Sequence, residues 1–337
     1  MDQDDEQKYR SFISTMPHAM LYHGWEYMEF SKGLVGGNDH YLIALNKEDN
    51  IEGVLPLIYK EGSLGRVYNS LPFYGSNGGV LANDQECFDF IIENYNRFVE
   101  DTDFAASTVI TNPLRPSDNY EGIASNYKDY RIGQFSSILF SDDHENKLMD
   151  SFHYKTRNVI RKAVKEGVEV SIDNSAIDFL YNTHVNNMTA IGGKPKPKAF
   201  YENFPSYYQA GKDYNIYLAS FQSEPIAAML VFYFNGTVEY YTPVIVEKYR
   251  SMQPLSLLIY HAMIDASKIG YVRWNWGGTW ASQDGVYSFK KRWGTYDINY
   301  YYYTQLKNSD ILKASRKEIL DQYNNFFVIS FDQLKSL

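Results

Sequence analysis

Asn235-Gly236 separates two long apolar runs, IAAMLVFYF (226–234) and TVEYYTPVIV (237–246). A two-residue turn between strands needs positive φ at both central positions, and Asn-Gly supplies this at low steric cost. The two runs are therefore predicted to lie antiparallel. IYLASF (216–221) precedes them across a polar turn at 222–225 and extends the hairpin to a meander. Pro254 then opens a helix whose Leu255, Leu258, Ile259, Ala262, Met263, Ala266 and Ile269 form one stripe, and Gly270 stands at its C-terminal cap. YVRWNW (271–276) reads as a buried strand ending at Gly277-Gly278, and DINYYYYTQL (297–306) as one more. A meander, a helix and further strands predict an α+β domain rather than a parallel nucleotide-binding sheet.

An earlier passage repeats part of this pattern. YLIALNKEDNIEGVLPL (41–57) can be laid on IYLASFQSEPIAAMLVF (216–232) so that Ala44 meets Ala219, Ile51 meets Ile226 and Leu55 meets Leu230. Each reads as strand, polar turn, strand, which points to a duplicated αβ unit. Between the copies one helix is predicted, started by Asp142 and Glu145 in a capping-box arrangement and ended by Gly167. Leu148, Phe152, Val159 and Ala163 form its apolar side. Arg157, Arg161 and Lys165 recur every four residues on another face, with Lys155 and Lys162 nearby. A boundary just before this helix divides the 337 residues into domains 1–140 and 141–337.

Composition narrows the function. A formal net charge of -9 argues against a DNA partner or a nucleic-acid-coating surface, while a local basic site can still hold phosphate. Cys87 is the only cysteine, which excludes a disulfide scaffold and a cysteine-rich metal centre. The first residues, MDQDDEQKYR, are acidic and polar, unlike a secretory signal. No apolar run approaches the roughly 20 residues that span a bilayer, so a cytoplasmic protein is expected. GxxxxGK[ST], a strand-following GxGxxG, HExxH and GxSxG are all absent. His18 and His23 lack acidic company, and His184 and His261 fall on predicted helices, so neither a metal nor a serine triad is expected.

Positive charge concentrates in three places. The basic helix is one. GGKPKPKAFYENF (192–204), with Lys194, Lys196 and Lys198 spaced by prolines, is another. The third is GGTWASQDGVYSFKKRWG (277–294), where Lys290, Lys291 and Arg292 lie between Phe289 and Trp293. Each also has a plain reading: a solvated helix face, a rigid exposed loop, a charged turn between aromatic anchors.

The order of these features carries a resemblance. HYKTRNVIRKAVKEGVEV (153–170) precedes the lysine-rich loop; YRSMQPLSLL (249–258), WNWGG (274–278) and YSFKKRWG (287–294) follow. This succession resembles the Fem-type family of peptidoglycan-bridge aminoacyltransferases and their acetyltransferase-like relatives in the GNAT superfamily. The similarity is densest over about 141–305, and EGVLPL (52–57) and SLPFYGSNGG (70–79) extend it into the first half.

The resemblance implies an α+β fold of two GNAT-like domains, the first degenerate, each a mainly antiparallel mixed sheet flanked by helices, with a groove between them. It implies transfer of an acyl group to an amine, from an aminoacyl-tRNA or an acyl-coenzyme A and with no tightly bound cofactor. The family's Phe-Lys motif falls on Phe289 and Lys290 and marks Lys290 as the catalytic candidate, a donor to the oxyanion formed at the carbonyl under attack. Arg292 is placed to pair with a phosphate, and Lys291 with solvent. Coenzyme A enzymes of this superfamily carry [RQ]xxGx[GA] before the helix. Here the run is Arg250-Ser251-Met252-Gln253-Pro254-Leu255, without either glycine, and Pro254 lacks an amide donor. This favours the aminoacyl donor.

Lys155, Arg157 and Arg161, together with Lys194, Lys196 and Lys198 of the proline-spaced loop, are candidate contacts for a phosphate-bearing acceptor, a small-molecule or lipid-linked cell-wall or polysaccharide precursor, and Tyr241, Trp276, Phe289 and Arg292 complete the set. A lipid-linked acceptor is compatible with peripheral membrane contact. Asp284 and Tyr241 are candidates for a general base by neighbourhood alone. Two further readings stay open: an acyl-coenzyme A dependent N-acetyltransferase, and a non-catalytic binding protein on a GNAT-like scaffold.

Overall fold

The structure, a computed structural model, describes residues 3–73, 78–280 and 282–334. Residues 74–77 of the SLPFYGSNGG passage and Ala281 of the GGTWASQDGVYSFKKRWG passage lie outside the described residues. Contacts divide the chain into two compact units, 1–131 together with 299–337, and 132–298.

The first unit begins with helices α1 (Gln3–Thr15) and α2 (Trp25–Val35). Strands β1 (Asn38–Leu45), β2 (Ile51–Lys60), β3 (Val67–Asn69) and β4 (Leu81–Ala82) follow, then α3 (Gln85–Asp101) and β5 (Ala106–Ile110). β1 and β2 form the predicted antiparallel hairpin, with Leu42 opposite Leu55 and Ala44 opposite Gly53. β3 joins β2 antiparallel and β5 parallel. Helix α3, capped by Asp84 through the Cys87 amide, buries Phe88, Ile91, Ile92 and Tyr95 against this sheet.

β6 (Tyr127–Ser137) runs on from the first unit into the second and leads to α4 (His144–Ser151), α5 (Tyr154–Lys165), β7 (Glu169–Ile172), α6 (Ile177–Ala190) and α7 (Lys198–Asn203). Then come β8 (Tyr214–Phe221), β9 (Glu224–Phe234), β10 (Thr237–Ile245), α8 (Pro254–Lys268), β11 (Arg273–Thr279) and α9 (Asp284–Lys291). The chain ends with β12 (Thr295–Leu306) and α10 (Arg316–Gln322). The expected meander is present: β7, β8, β9 and β10 pair antiparallel in that order. Asn235 (φ 45°) and Gly236 (φ 70°) make the tight turn between β9 and β10. Pro254 takes the first turn of α8, and Gly270 (φ 89°) closes its end. Leu257, Leu258, Ile259 and Met263 of α8 are buried in the core of this unit. Each such side chain contributes about 1.5–3 kcal/mol by leaving water.

Four expectations are corrected. The division into 1–140 and 141–337 gives way to units in which 299–337 packs with the N-terminal part. The cause is pairing: Tyr302 of β12 lies opposite Ile110 of β5, the Phe327 amide donates to Asn69 Oδ1, and Tyr323 Oη donates to Gly65 O. The single basic helix is two helices, because the chain turns extended at Phe152 (ψ 148°) and His153 caps α5 by accepting the Lys155 amide. Gly167 (φ 79°) ends α5 as expected. Strand β11 runs through Gly277-Gly278 to Thr279 rather than stopping before them. Pro225 belongs to β9, opposite Ser220, and the turn is only Gln222-Ser223, both at positive φ.

Candidate functional site

Strands β10 and β11 run parallel, but they pair only over Thr237–Glu239 against Arg273–Asn275. Beyond that point each pairs only with its other neighbour. On the β9 side, β10 takes up an extra residue at Tyr241, between the Tyr240–Val231 and Thr242–Leu230 pairs. On the β6 side, the register of β11 shifts between Asn275 and Gly278. Such bulges bend a strand and raise its twist, so the two strands part where the bulges sit. Buried Asn275 marks the parting point. Its Nδ2 donates to Glu239 Oε2 (2.8 Å) and its Oδ1 accepts the Gly277 amide (2.9 Å), which holds Gly277 at φ 72°.

Lys290 lies behind the end of β11. It is 6% exposed, near the C-terminus of α9, and its ammonium donates to Thr279 Oγ1 (2.9 Å), Gly277 O (3.2 Å) and Gly278 O (3.3 Å). Burial lowers its pKa to about 8, so the group remains mainly a cation at neutral pH. Thr279 Oγ1 in turn donates to Gln134 Oε1 (3.1 Å), and Gln134 Nε2 donates to Tyr287 O (3.3 Å) on α9. Strand, helix and lysine are thus one hydrogen-bonded assembly. Two of the three ammonium bonds are long, and these are the ones most readily exchanged for another oxygen. Asp284, in the first turn of α9, is exposed.

The aromatic neighbours are not symmetric. Trp293 is buried (1% exposed) and packs against Phe152 and Trp276, at ring distances of 5.0 and 5.5 Å. Trp276 is buried, with Nε1 donating to Ser136 Oγ, and its ring lies 5.0 Å from Tyr240. Phe289 is 39% exposed and meets Trp276 edge-on at 6.1 Å. The segment is therefore a helix anchored by Trp293, not a charged turn between two buried rings.

The start of α5 docks on the end of α9. Arg292 O accepts both the His153 amide (2.9 Å) and Thr156 Oγ1 (3.0 Å), and Arg157 Nη1 donates to Phe152 O (2.8 Å). This brings Lys155, Arg157 and Arg292 to one junction, with Arg161 a turn further along α5. Lys155, Arg161 and Arg292 are exposed and Arg157 is half-buried. Lys291 is exposed, as expected, and pairs with Asp297 (3.2 Å).

Tyr241 and the lysine-rich loop form a second group. Tyr241 stacks on Phe200 of α7 at 5.4 Å and 8°. The loop separates its three lysines: Lys194 is exposed, Lys198 pairs with Glu202 (2.7 Å), and Lys196 is buried with its ammonium 5.1 Å from the Tyr241 ring centroid. Burial lowers the Lys196 pKa to about 8 and, with the Lys196 charge, that of His184 to about 4. His184 Nε2 accepts the Lys196 amide (3.0 Å) and so fixes where the loop turns in. His184 is a satisfied core histidine, as its place on a helix predicted.

Sequence reasoning missed Gln134, Glu239, Asn275 and Thr279. The available signal was a polar residue inside an apolar strand: Asn275 between two tryptophans, and Glu239 within TVEYY. The loop before α8 also has a definite form. Arg250 pairs with Glu247 through Nε (2.9 Å) and Nη2 (2.7 Å), Lys248 with Glu224 (3.0 Å), and Gln253 sits at φ 62° with no side-chain cap. Among the described residues, no group of His, Cys, Asp and Glu is arranged to hold a metal, and no helix is long and apolar enough to cross a membrane.

The family described as "Acetyltransferase (GNAT) domain" matches residues 150–291. Among solved structures the chain is similar to FemX, with a TM-score of 0.69 and 14% identity over 90% of this chain and 96% of that one. It is also similar to the C-terminal domain of a protein described as a lysylphosphatidylglycerol synthetase from Agrobacterium fabrum, with a TM-score of 0.58 and 10% identity over 90% and 92% of the two chains. A third similar structure is L-PGS from Bacillus licheniformis, with a TM-score of 0.50 and 11% identity over 95% and 96%. No curated protein matches the sequence. Residues 150–291 thus match a GNAT acetyltransferase domain, and the chain as a whole has a FemX-like fold.

Proposed function

We propose that this acyltransferase moves an aminoacyl group from an aminoacyl-tRNA type of ester to an amine of a phosphate-bearing cell-wall or polysaccharide precursor. The observation that carries this reading is Lys290, a buried cation held at the end of β11 where β10 and β11 part. The acceptor amine attacks the ester carbonyl. A C–N bond forms, the ester C–O bond breaks, and the amine proton ends on the leaving oxygen. Negative charge gathers on the carbonyl oxygen in between. Lys290 exchanges one of its long carbonyl bonds for that oxygen, which stabilises the intermediate more than the substrate. Lys155, Arg157, Arg161 and Arg292 at the α5–α9 junction take the acceptor's phosphates, and Lys194 and Tyr241 act from the loop side.

The loop before α8 supports the choice of donor. Its Arg250 is engaged by Glu247, and Pro254 removes an amide where a pyrophosphate would need one. The similarity to a lysylphosphatidylglycerol synthetase domain is also in keeping with an aminoacyl donor and a phosphate-bearing acceptor. A lipid-linked acceptor would bring the protein to a membrane surface without crossing it.

The test offers labelled aminoacyl-tRNA or labelled acetyl-coenzyme A, each with a precursor extract. Transfer from the tRNA is expected. Transfer from coenzyme A alone replaces the donor, and transfer from neither favours a binding protein on this scaffold.

A further inference from the structure

The first unit carries a cavity of about 340 Å³ that the transfer chemistry leaves unused. The loop after β5 and Lys128 of β6 line it, along with Asn299, Tyr301 and Tyr303 of β12. Its volume lies within the roughly 300–1,000 Å³ typical of small-molecule sites.

Asp118 is its unusual group. The side chain is 2% exposed, and Oδ1 accepts Arg115 Nε and Nη2, both at 2.9 Å. Oδ2 is buried and has no hydrogen-bond partner among the described residues. Burial raises the Asp118 pKa against the pull of Arg115. A carboxylate so placed is a fixed acceptor for one further donor, and leaving it without one is costly.

Part of the lining is aromatic. Tyr301 is half-buried, its amide donating to Thr111 Oγ1 (2.9 Å), and Tyr303 stacks on Tyr120 at 5.9 Å and 17°. The ammonium of Lys128, an exposed residue, lies 4.4 Å from the Tyr301 centroid and 4.8 Å from that of Tyr303. Charge then decides the ligand class. Arg115 and Lys128 are matched by Asp118 and Glu121, so an incoming anion or cation meets a like charge in the wall as well as an opposite one. A neutral ligand rich in hydroxyls meets no such conflict.

We propose that this cavity binds a neutral saccharide ring. The sugar lays its C–H face on Tyr301 and donates one hydroxyl to Asp118 Oδ2. Lys128 swings from the ring face to a second hydroxyl, and Asn299 takes a third. The site belongs to the first unit alone and stands whether or not the GNAT domain transfers an acyl group.

Saturation-transfer NMR on the full chain tests it, with glucose, galactose and N-acetylglucosamine as probes and inorganic phosphate and uridine as competitors. Ring protons of at least one sugar are expected to show transfer, with a Kd on the order of millimolar. Asp118→Asn and Tyr301→Ala should each weaken that binding about tenfold or more. Lys128→Gln, at an exposed position, gives a second reading should Tyr301→Ala fail to fold. Silence from all three sugars overturns the proposal, as does undiminished binding by Asp118→Asn. Displacement of the sugar by phosphate or uridine at lower concentration overturns it too. Sugar binding without acyl transfer in the assay above would refute the transfer reading and leave this one standing.

Discussion

Replacing Lys290 by methionine separates its chemical role from its structural one. The substitution removes the ammonium and keeps an unbranched, flexible side chain in the same space. Lowering a lysine from 10.5 to about 8 by burial opposes folding at neutral pH by on the order of 3 kcal/mol. Against this stand the bonds to Thr279 Oγ1, Gly277 O and Gly278 O, each worth about 1 kcal/mol net. Gly277 is half-buried and Gly278 exposed, so water can replace the lysine at those carbonyls. The two sides nearly cancel, and the variant should unfold within about 1 kcal/mol of the parent. Transfer should behave differently, because losing an oxyanion donor costs about 10²–10³ in kcat.

The pH dependence sharpens the test. The folded-state pKa of Lys290 lies below its ordinary value, so between about 8 and 10.5 the unfolded chain binds more protons than the folded one. The Lys290 contribution to stability therefore rises with pH through that window. Activity should fall over the same window as the cation is lost, giving opposite trends from one group. Lys290→Arg keeps its charge and should turn over more slowly but without the descending limb. The measurements are initial transfer rates and urea unfolding from about pH 6 to about pH 10. Lys290→Met turning over within about threefold of the parent would refute the role, as would a descending limb that survives in Lys290→Arg.

Four further substitutions probe the surroundings. Gly294 sits at φ 69°, and a Cβ there would lie 2.7 Å from Ser151 O. Gly294→Ala should therefore cost roughly 2–4 kcal/mol in urea unfolding, from the left-handed backbone plus the clash. Gly277→Ala, at φ 72° with nothing within 4 Å, should cost only the backbone part, about 1–2 kcal/mol; equal losses at the two glycines would dismiss the contact with Ser151. Lys155→Ala and Arg161→Ala, both at exposed positions, should each raise the acceptor KM about tenfold at unchanged kcat. Added salt should narrow that difference, and an unchanged KM would return the face of α5 to a solvated surface.

The second unit was legible where local chemistry alone dictates the backbone. Asn235-Gly236 can hardly be anything but a tight turn once two β-rich runs flank it, and Pro254 and Gly270 bound α8 for equally local reasons. The break between α4 and α5 was not legible. Phe152 fits a helical apolar stripe, and what pulls it extended is Trp293, more than a hundred residues on, with Arg292 O waiting for the His153 amide. The same holds for the return of 299–337 to the first unit. A strand pattern in DINYYYYTQL announces a strand but says nothing about its neighbour, and the neighbour is β5.

The site shows the same division at finer grain. In Lys194-Pro195-Lys196-Pro197-Lys198 the three lysines are equivalent by composition and spacing, and only the fold distinguishes them. His184 accepts the Lys196 amide, which turns that residue alone inward. The extra residue in β10 places Tyr241 against Phe200, and the resulting ring takes the Lys196 ammonium. A buried cation with a pKa of about 8 then stands against a strand that parts from β11, the strand whose end holds Lys290, a second cation lowered to about 8 by the same cause. Two buried lysines, one in the loop before α7 and one on α9, thus stand against the two strands that diverge. Each lowered pKa weakens folding near neutral pH, and the transfer proposed above would give the Lys290 cation a use, because negative charge gathers on the carbonyl oxygen under attack.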